Sequence, residues 1–370
     1  MVDYTEGSLA DALFRRGVSR RDFIKFCTVM AGTLALPASM VPKVAHALQA
    51  AKRPPLVWLE FQDCAGCSES LLRASQPTVA QLVLDVLSLN YHETIMAPSG
   101  EGAEKSLWDT VAEGGYLTVI EGAIPTKDDG IYCCIAGQTA LDIAQRVAAN
   151  TAAVITVGAC AFYGGWPATT PNPTEAKGVQ DVVSGVPIVN LPGCPMNVDN
   201  LTATVVHYLT FGSLPEVDDS ARPLFAYGRR IHDNCERRAH FDNNEFVREW
   251  GDEGSQKGWC LYHMGCKGPI SYHNCPTQRW NEGTSWPVRA GHGCIACANP
   301  NFWALPAYDT VPIFDEQNPP GTFPWQPEET TGVSPATAGA IGAAAGVAVG
   351  VAGAVAVRQL TKGEGETEEE

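Results

Sequence analysis

The sequence predicts a doubly wound α/β domain with a parallel sheet, then an irregular cysteine-rich domain, then a membrane-spanning C-terminal helix. Three observations predict this. Four short apolar runs alternate with helical stretches over roughly residues 50 to 215. From about 216 to 330 the chain is rich in Gly, Pro, His, Trp and Cys with little periodicity, which suggests a region ordered by something other than a regular core. Residues 336–357 run for 22 positions without a charge.

The four runs are "LVWLEF" (56–61), "YLTVIEG" (116–122), "AAVITVG" (152–158) and "PIVNLPG" (187–193). They are apolar, largely β-branched and bounded by Gly or Pro, as strands buried on both faces of a parallel sheet should be. "PTVAQLVLDVLSL" (77–89) and "GQTALDIAQRVAAN" (137–150) read as helices between them, and strand–helix alternation implies the doubly wound arrangement.

The whole chain has 370 residues, 45% of them hydrophobic, with 36 Gly and 26 Pro, which is enough for two turn-rich domains. A net charge of −16 argues against nucleic acid or an anionic lipid surface as the main partner. Thirteen Cys is a high and odd number, which places metal ligation ahead of a disulfide framework.

At the N-terminus, a twin arginine (Arg20, Arg21) precedes an apolar stretch and the small-residue site Ala45-His46-Ala47. Residues 1–47 therefore read as a twin-arginine export signal rather than as structure, cleaved after Ala47; an amphipathic helix is the plainer alternative. That route carries folded, cofactor-loaded proteins, so a metal centre built in the cytoplasm and used outside it is expected. At the other end, residues 336–357 would span about 33 Å as a helix at about 1.5 Å per residue. Gly342, Gly346 and Gly350 repeat every four residues, and Arg358 and Lys362 follow on what would be the cytoplasmic side. A flexible Ala/Gly linker is the competing reading, and residues 358–370 read as a solvated acidic tail.

Cysteines stand just past the ends of three of the runs: Cys64 and Cys67 in "FQDCAGC", Cys160 in "VITVGAC" and Cys194 in "VNLPGC". In an open parallel sheet the strand C-termini form one edge, where ligands bind. The four thiols thus converge on one edge and fit a four-iron cluster or a structural zinc, with a disulfide and two core cysteines as the bland reading. The second domain adds His232, Cys235, Cys260, Cys266, Cys275, Cys294 and Cys297. These divide into a His-plus-three-Cys group and a three-Cys group. Three thiols serve structural zinc poorly but suit a three-iron cluster, which favours iron–sulfur chemistry.

With these residues in view, the chain resembles the small, electron-transferring subunit of the nickel–iron hydrogenases. "DCAGCSES", "EGAIP", "GACAFYGG", "LPGCP", "HDNCERR", "GCKGP" and "GCIAC" fall in that family's order. The resemblance implies a flavodoxin-like domain (48–215), a cluster domain (216–330), two 4Fe-4S clusters and one 3Fe-4S cluster. It assigns Cys64, Cys67, Cys160 and Cys194 to a proximal 4Fe-4S cluster. Cys275, Cys294 and Cys297 go to a medial 3Fe-4S cluster, with Pro287 near its vacant corner, and His232, Cys235, Cys260 and Cys266 to a distal 4Fe-4S cluster.

The resemblance also implies a large subunit that holds the nickel–iron site, and electrons passing from H2 to a membrane acceptor, a b-type cytochrome or a comparable membrane protein. The complex would sit on the periplasmic side of the inner membrane. An exported, anchored iron–sulfur module without a hydrogenase partner is the rival, and the α/β half alone also resembles the cluster-bearing subunit of quinone reductases. Oxygen-tolerant family members carry two extra cysteines, at positions that are here Gly66 and Gly165. Cys133 and Cys134 read as small buried packing residues and Cys27 as part of the signal; Glu121 reads as a tuning group, a helix cap or a solvated side chain.

Overall fold

The computed structural model describes residues 18–50, 53–74 and 88–303. The chain begins there with α1 (Arg20–Thr33) and α2 (Val41–Ala50), followed by β1 (Pro55–Glu60), α3 (Gly66–Leu72), β2 (Ser88–His92), α4 (Glu101–Glu113) and β3 (Leu117–Glu121). It continues with α5 (Ala140–Ala148), β4 (Ala153–Val157), α6 (Gly158–Tyr163), β5 (Ile188–Leu191) and α7 (Val198–Phe211). The five strands lie in the order β2-β1-β3-β4-β5 and every pairing is parallel. Order 2-1-3-4-5 is that of flavodoxin-like doubly wound sheets, whose binding crevice lies at the carboxyl ends of the strands.

The sheet is buried on both faces, and the alternation along each strand divides its side chains between two layers. Leu56, Trp58, Leu117, Val119, Ile155 and Leu191 pack on the face covered by α1, α2 and α7. Val57, Leu59, Ile120 and Val154 face Ile143 and Val147 of α5 and Leu107 of α4. The predicted runs 56–61, 116–122, 152–158 and 187–193 each contain most or all of one of these strands.

Strand β2 is a departure, because its residues 88 and 89 were expected to end the helix 77–89. Its Ser88, Asn90 and His92 carry no apolar signal, and an edge strand with one neighbour needs none. Residues 77–87 lie outside the described residues.

Residues 20–50, which include much of the segment read as an export signal, form two helices in the structure. Helices α1 and α2 pack on each other and on α7, burying Phe23, Cys27, Met30, Val44 and Leu48. The apolar stretch that reads as a signal core serves here as an internal packing face, and burial pushes the Cys27 thiol up to about 12.

Past α7 the regular layers stop. The elements of residues 224–278 are helices and 3-10 turns of three to five residues, as the aperiodic composition predicts. Among the described residues no helix is long and apolar enough to cross a membrane; the segment 336–357 lies outside them.

Candidate metal centres

The first group of thiols forms at the carboxyl edge of the sheet. Beyond β1 the chain turns through Asp63, whose Oδ1 accepts the Ala65 N–H at 3.1 Å, and enters α3 with Ala65 at φ +56°. This turn presents Cys64 and Cys67. Beyond β4, Gly158 opens α6 at φ +84° and sets Cys160 in the first turn. Beyond β5, Gly193 leads into Cys194. The four cysteines line one cavity of about 90 Å³ together with Glu121, Gly122, Gly158 and Pro195.

Of the readings open for Glu121, the structure shows the helix cap, placed next to the thiols, and not a solvated side chain. It is 2% exposed. Its Oε1 accepts the Cys67 N–H and its Oε2 the Ser68 N–H, both at 2.9 Å, so a carboxylate from β3 closes the N-terminus of α3. The Ser68 hydroxyl donates to Glu121 at 2.6 Å and lies 2.8 Å from Glu60. Burial raises Glu121 to about 7. Behind it, Glu60 N–H donates to Glu93 at 3.0 Å; burial raises Glu93 to about 8 and lowers the fully buried His92 to about 4. Sequence reasoning misses this polar chain, since β2, which carries His92, has no sequence signal.

A second group, Cys275, Cys294 and Cys297, lines a cavity of about 410 Å³ with Trp280, Trp286 and Pro287, and Cys194 of the first group reaches the same space. His273 Nδ1 lies 3.1 Å from Cys275 Sγ, and the Ala296 N–H donates to Cys294 Sγ at 3.3 Å. The Tyr163 hydroxyl donates to the Cys297 carbonyl at 2.9 Å, and Asn200 and Asn274 exchange amide hydrogen bonds at 2.8 and 3.0 Å. These contacts fasten the second group to the α/β layers.

The third group comprises His232, Cys235, Cys260 and Cys266, which line a further small cavity with Arg237, Leu261 and Pro269. Burial, then Arg238 and Arg230, lower His232 to about 3, so its imidazole is neutral and offers a lone pair. The groups adjoin: Cys194 adds to the upward shift of Cys297, and the Cys294 N–H donates to Cys266 Sγ at 3.2 Å.

The donor set fits iron–sulfur clusters. No disulfide joins the thiols. Burial, as the leading cause, raises Cys67, Cys160, Cys194, Cys235, Cys260, Cys266, Cys275, Cys294 and Cys297. Crowded thiols in such surroundings become thiolates only when a cation compensates them. Backbone N–H groups already point at sulfur, from Met196 to Cys67 at 3.3 Å and from Arg237 to Cys235 at 3.4 Å, as donors that support a ligating sulfur do.

Cys133 and Cys134 join none of the groups. Cys133 is half-buried and packs against the core, as expected, whereas Cys134 is exposed, because it enters the tight two-strand turn Cys134–Ile135 and Gln138–Thr139.

A parallel doubly wound sheet with thiols gathered along its carboxyl edge, continued by two further ligand groups, defines an iron–sulfur electron-transfer protein. The family model for the 20 Kd subunit of NADH ubiquinone oxidoreductase matches residues 64–208, and the one for the C-terminal part of the NiFe/NiFeSe hydrogenase small subunit matches residues 227–308. The chain is 49% identical over 296 residues to the periplasmic [NiFe] hydrogenase small subunit 1 of Nitratidesulfovibrio vulgaris, covering 79% of this chain and 93% of that one. It is 46% identical to the quinone-reactive Ni/Fe-hydrogenase small chain of Wolinella succinogenes, covering 82% and 85%. Among solved structures it matches the Ni-Fe-Se hydrogenase of Desulfomicrobium baculatum with TM-score 0.65 and 35% identity, over 70% of this chain and 100% of that chain. The chain belongs to the small-subunit family of the nickel–iron hydrogenases, the iron–sulfur subunits that work with a large subunit in H2 oxidation.

Proposed function

We propose that the three groups hold, in sequence, a proximal 4Fe-4S cluster (Cys64, Cys67, Cys160, Cys194), a medial 3Fe-4S cluster (Cys275, Cys294, Cys297) and a distal 4Fe-4S cluster (His232, Cys235, Cys260, Cys266). The observation that carries this reading is their succession: Cys194 lines the second cavity, and Cys294 donates its N–H to Cys266 of the third group. Bound iron–sulfur clusters supply one-electron carriers. The chain's own part is to fix their spacing, exclude water and set the polarity around each. Glu121 holds Cys67 by its backbone, Cys67, Cys260, Cys275 and Cys294 are buried from solvent, and the neutral His232 lowers the negative charge at the third group. Pro287 lines the medial cavity where a fourth ligand would otherwise stand.

The same reading divides the chain into an α/β domain (48–215) and a cluster domain (216–330). Residues 1–47 direct twin-arginine export, and residues 336–357 anchor the complex at the periplasmic side of the inner membrane. A b-type cytochrome or a comparable membrane protein takes the electrons; the quinone-reactive Wolinella relative supports a membrane acceptor. The test uses membranes containing the complete complex. H2 bleaches the visible iron–sulfur absorption and reduces the acceptor, and a chain ended near residue 332 leaves a soluble complex that reduces dyes but not the acceptor. A truncated complex that stays on membranes after a salt wash contradicts the anchor, and purified chain that never carries a nickel-bearing partner contradicts the whole reading.

Oxygen sensitivity follows from two glycines at the proximal cavity. A Cβ at Gly66 would stand 3.1 Å from Cys64 Sγ, and one at Gly165 (φ +51°) 2.6 Å from Cys160 Sγ, so a side chain at either position would face the cluster ligands. With glycine at both, the site has four thiolates and no supernumerary pair. Reversible inactivation by O2 during turnover is expected, with slow reductive recovery. Protein-film electrochemistry with pulses of air reads this directly, and sustained H2 oxidation under O2 would contradict it.

A further inference from the structure

We propose that His273 donates its Nδ1–H to the Cys275 sulfur when that sulfur ligates the cluster of the second group, and thereby raises that cluster's reduction potential. This rests on the ligand assignment under Proposed function. His273 is 2% exposed, and its Nδ1 lies 3.1 Å from Cys275 Sγ, within reach of a hydrogen bond to sulfur. Its neighbours hold the ring in place: the Tyr227 ring stands across it with centroids 4.9 Å apart, and the Trp280 ring lies over it at 6.3 Å and 26°. His273 and Cys275 line the same cavity.

The place of the proton follows from what the sulfur becomes. A free thiol can donate to a bare ring nitrogen, but a ligating thiolate carries only lone pairs, so a nitrogen held this close to it needs a hydrogen of its own. Nε2 decides the tautomer in the same direction, because it is shut off from solvent and has no partner among the described residues. With the proton on Nε2, a donor would go unused there while Nδ1 turned a lone pair on the thiolate, two faults at once. With the proton on Nδ1, the donor is used at the sulfur and only an acceptor is left over. The second group thus receives a side-chain N–H at Cys275 besides the backbone N–H that Ala296 gives Cys294 at 3.3 Å. A donor to a ligand sulfur favours the reduced cluster, which carries one more negative charge, and so raises the potential. His273 acts through Cys275 and is a positioning residue.

The test is an EPR-monitored redox titration of the complete complex carrying His273→Phe, which keeps a ring against Tyr227 and Trp280 and removes the N–H. At the potential where the parent medial cluster is half reduced, the reduced-to-oxidised ratio in the variant falls about tenfold, equivalent to about 59 mV for one electron. His273→Asn, whose side-chain amide can put an N–H where Nδ1 stood, keeps the parent midpoint, and the other two clusters keep theirs in both variants. A role in packing alone would not separate Phe from Asn in this way. An unchanged medial midpoint in His273→Phe with the three-iron signal intact overturns the proposal, and so does a midpoint that falls as far in His273→Asn. A parent complex without any three-iron signal instead overturns the ligand assignment on which it rests.

If His273→Phe does not assemble, the unsubstituted complex grown with ring-15N histidine gives the answer. Pulsed EPR of the oxidised three-iron state then shows a 15N coupling, and the coupling disappears in His273→Asn. No such coupling, or one that survives in His273→Asn, means that the ring nitrogen is not bonded to the Cys275 sulfur, and the proposal fails.

Discussion

Replacing Cys275 with Ser lowers H2-driven dye reduction by about a hundredfold or more, since loss of a ligand should exceed the cost of losing its outer support, while hydrogen–deuterium exchange at the large subunit continues. Cys275 is 7% exposed, in the wall of the medial cavity, and in contact with His273. It lies in a four-residue helix, Cys275–Gln278, whose neighbourhood is fastened to α7 through Asn200 and Asn274. That fastening does not involve the thiol, and Ser is smaller than Cys, so the substitution removes a ligand without crowding the fold. Exchange requires only the large subunit's chemistry, whereas dye reduction requires an outlet for electrons. Measuring both on one preparation separates the roles: loss of exchange together with reduction would mean that Cys275 holds the fold rather than the medial cluster.

Gly158→Ala removes the proximal cluster, with loss of about four iron atoms per chain. A Cβ at residue 158 would lie 2.6 Å from Cys67 Sγ, far inside van der Waals contact, and the position has φ +84°. The left-handed conformation costs a non-glycine residue about 1–2 kcal/mol, and overpacking adds about 1–3 kcal/mol. Cys67 can relieve the clash only by moving its sulfur, which Met196 N–H holds at 3.3 Å and which shares the cavity with Cys64, Cys160 and Cys194. Gly212→Ala is the control, because Gly212 has φ +68° but nothing within 4 Å of the place its added methyl would take. It bears the conformational strain alone and keeps its iron. Iron analysis of both variants checks the contrast, and full iron in Gly158→Ala would show that the cysteines do not converge as tightly as the cavity implies.

Much of this arrangement is legible in the sequence because a parallel sheet buried on both faces demands apolar runs. The runs around Leu56, Leu117, Ala153 and Ile188 are therefore nearly continuous, and the cysteines at their ends inherit a common edge from the topology. What fails to show has physical reasons. Strand β2 lies at the edge, so it needs no apolar run, and the buried His92 and half-buried Glu93 go unmarked with it. The helices at 20–50 pack an apolar face against α7, a long-range contact outside the reach of any local pattern. Glu121 is visible as a residue at a strand end, but its cap on α3 joins positions 54 apart in sequence, which no local pattern records. Cys134 reads as a packing residue by its size, yet a hairpin of two-residue strands leaves it at the surface. In the cluster region, spacing supplies the ligands but not their surroundings, because short turns with little periodicity give no rule for which indole or imidazole meets which sulfur.

The ligand assignment is the centre of the account, and iron and sulfide analysis combined with Mössbauer spectroscopy of the purified complex tests it most directly. After subtraction of the single iron expected at the large subunit's nickel–iron site, the account predicts about eleven iron atoms per small subunit, divided as two four-iron clusters and one three-iron cluster. Stoichiometric zinc in place of iron, or a spectrum that resolves no three-iron component, would contradict it.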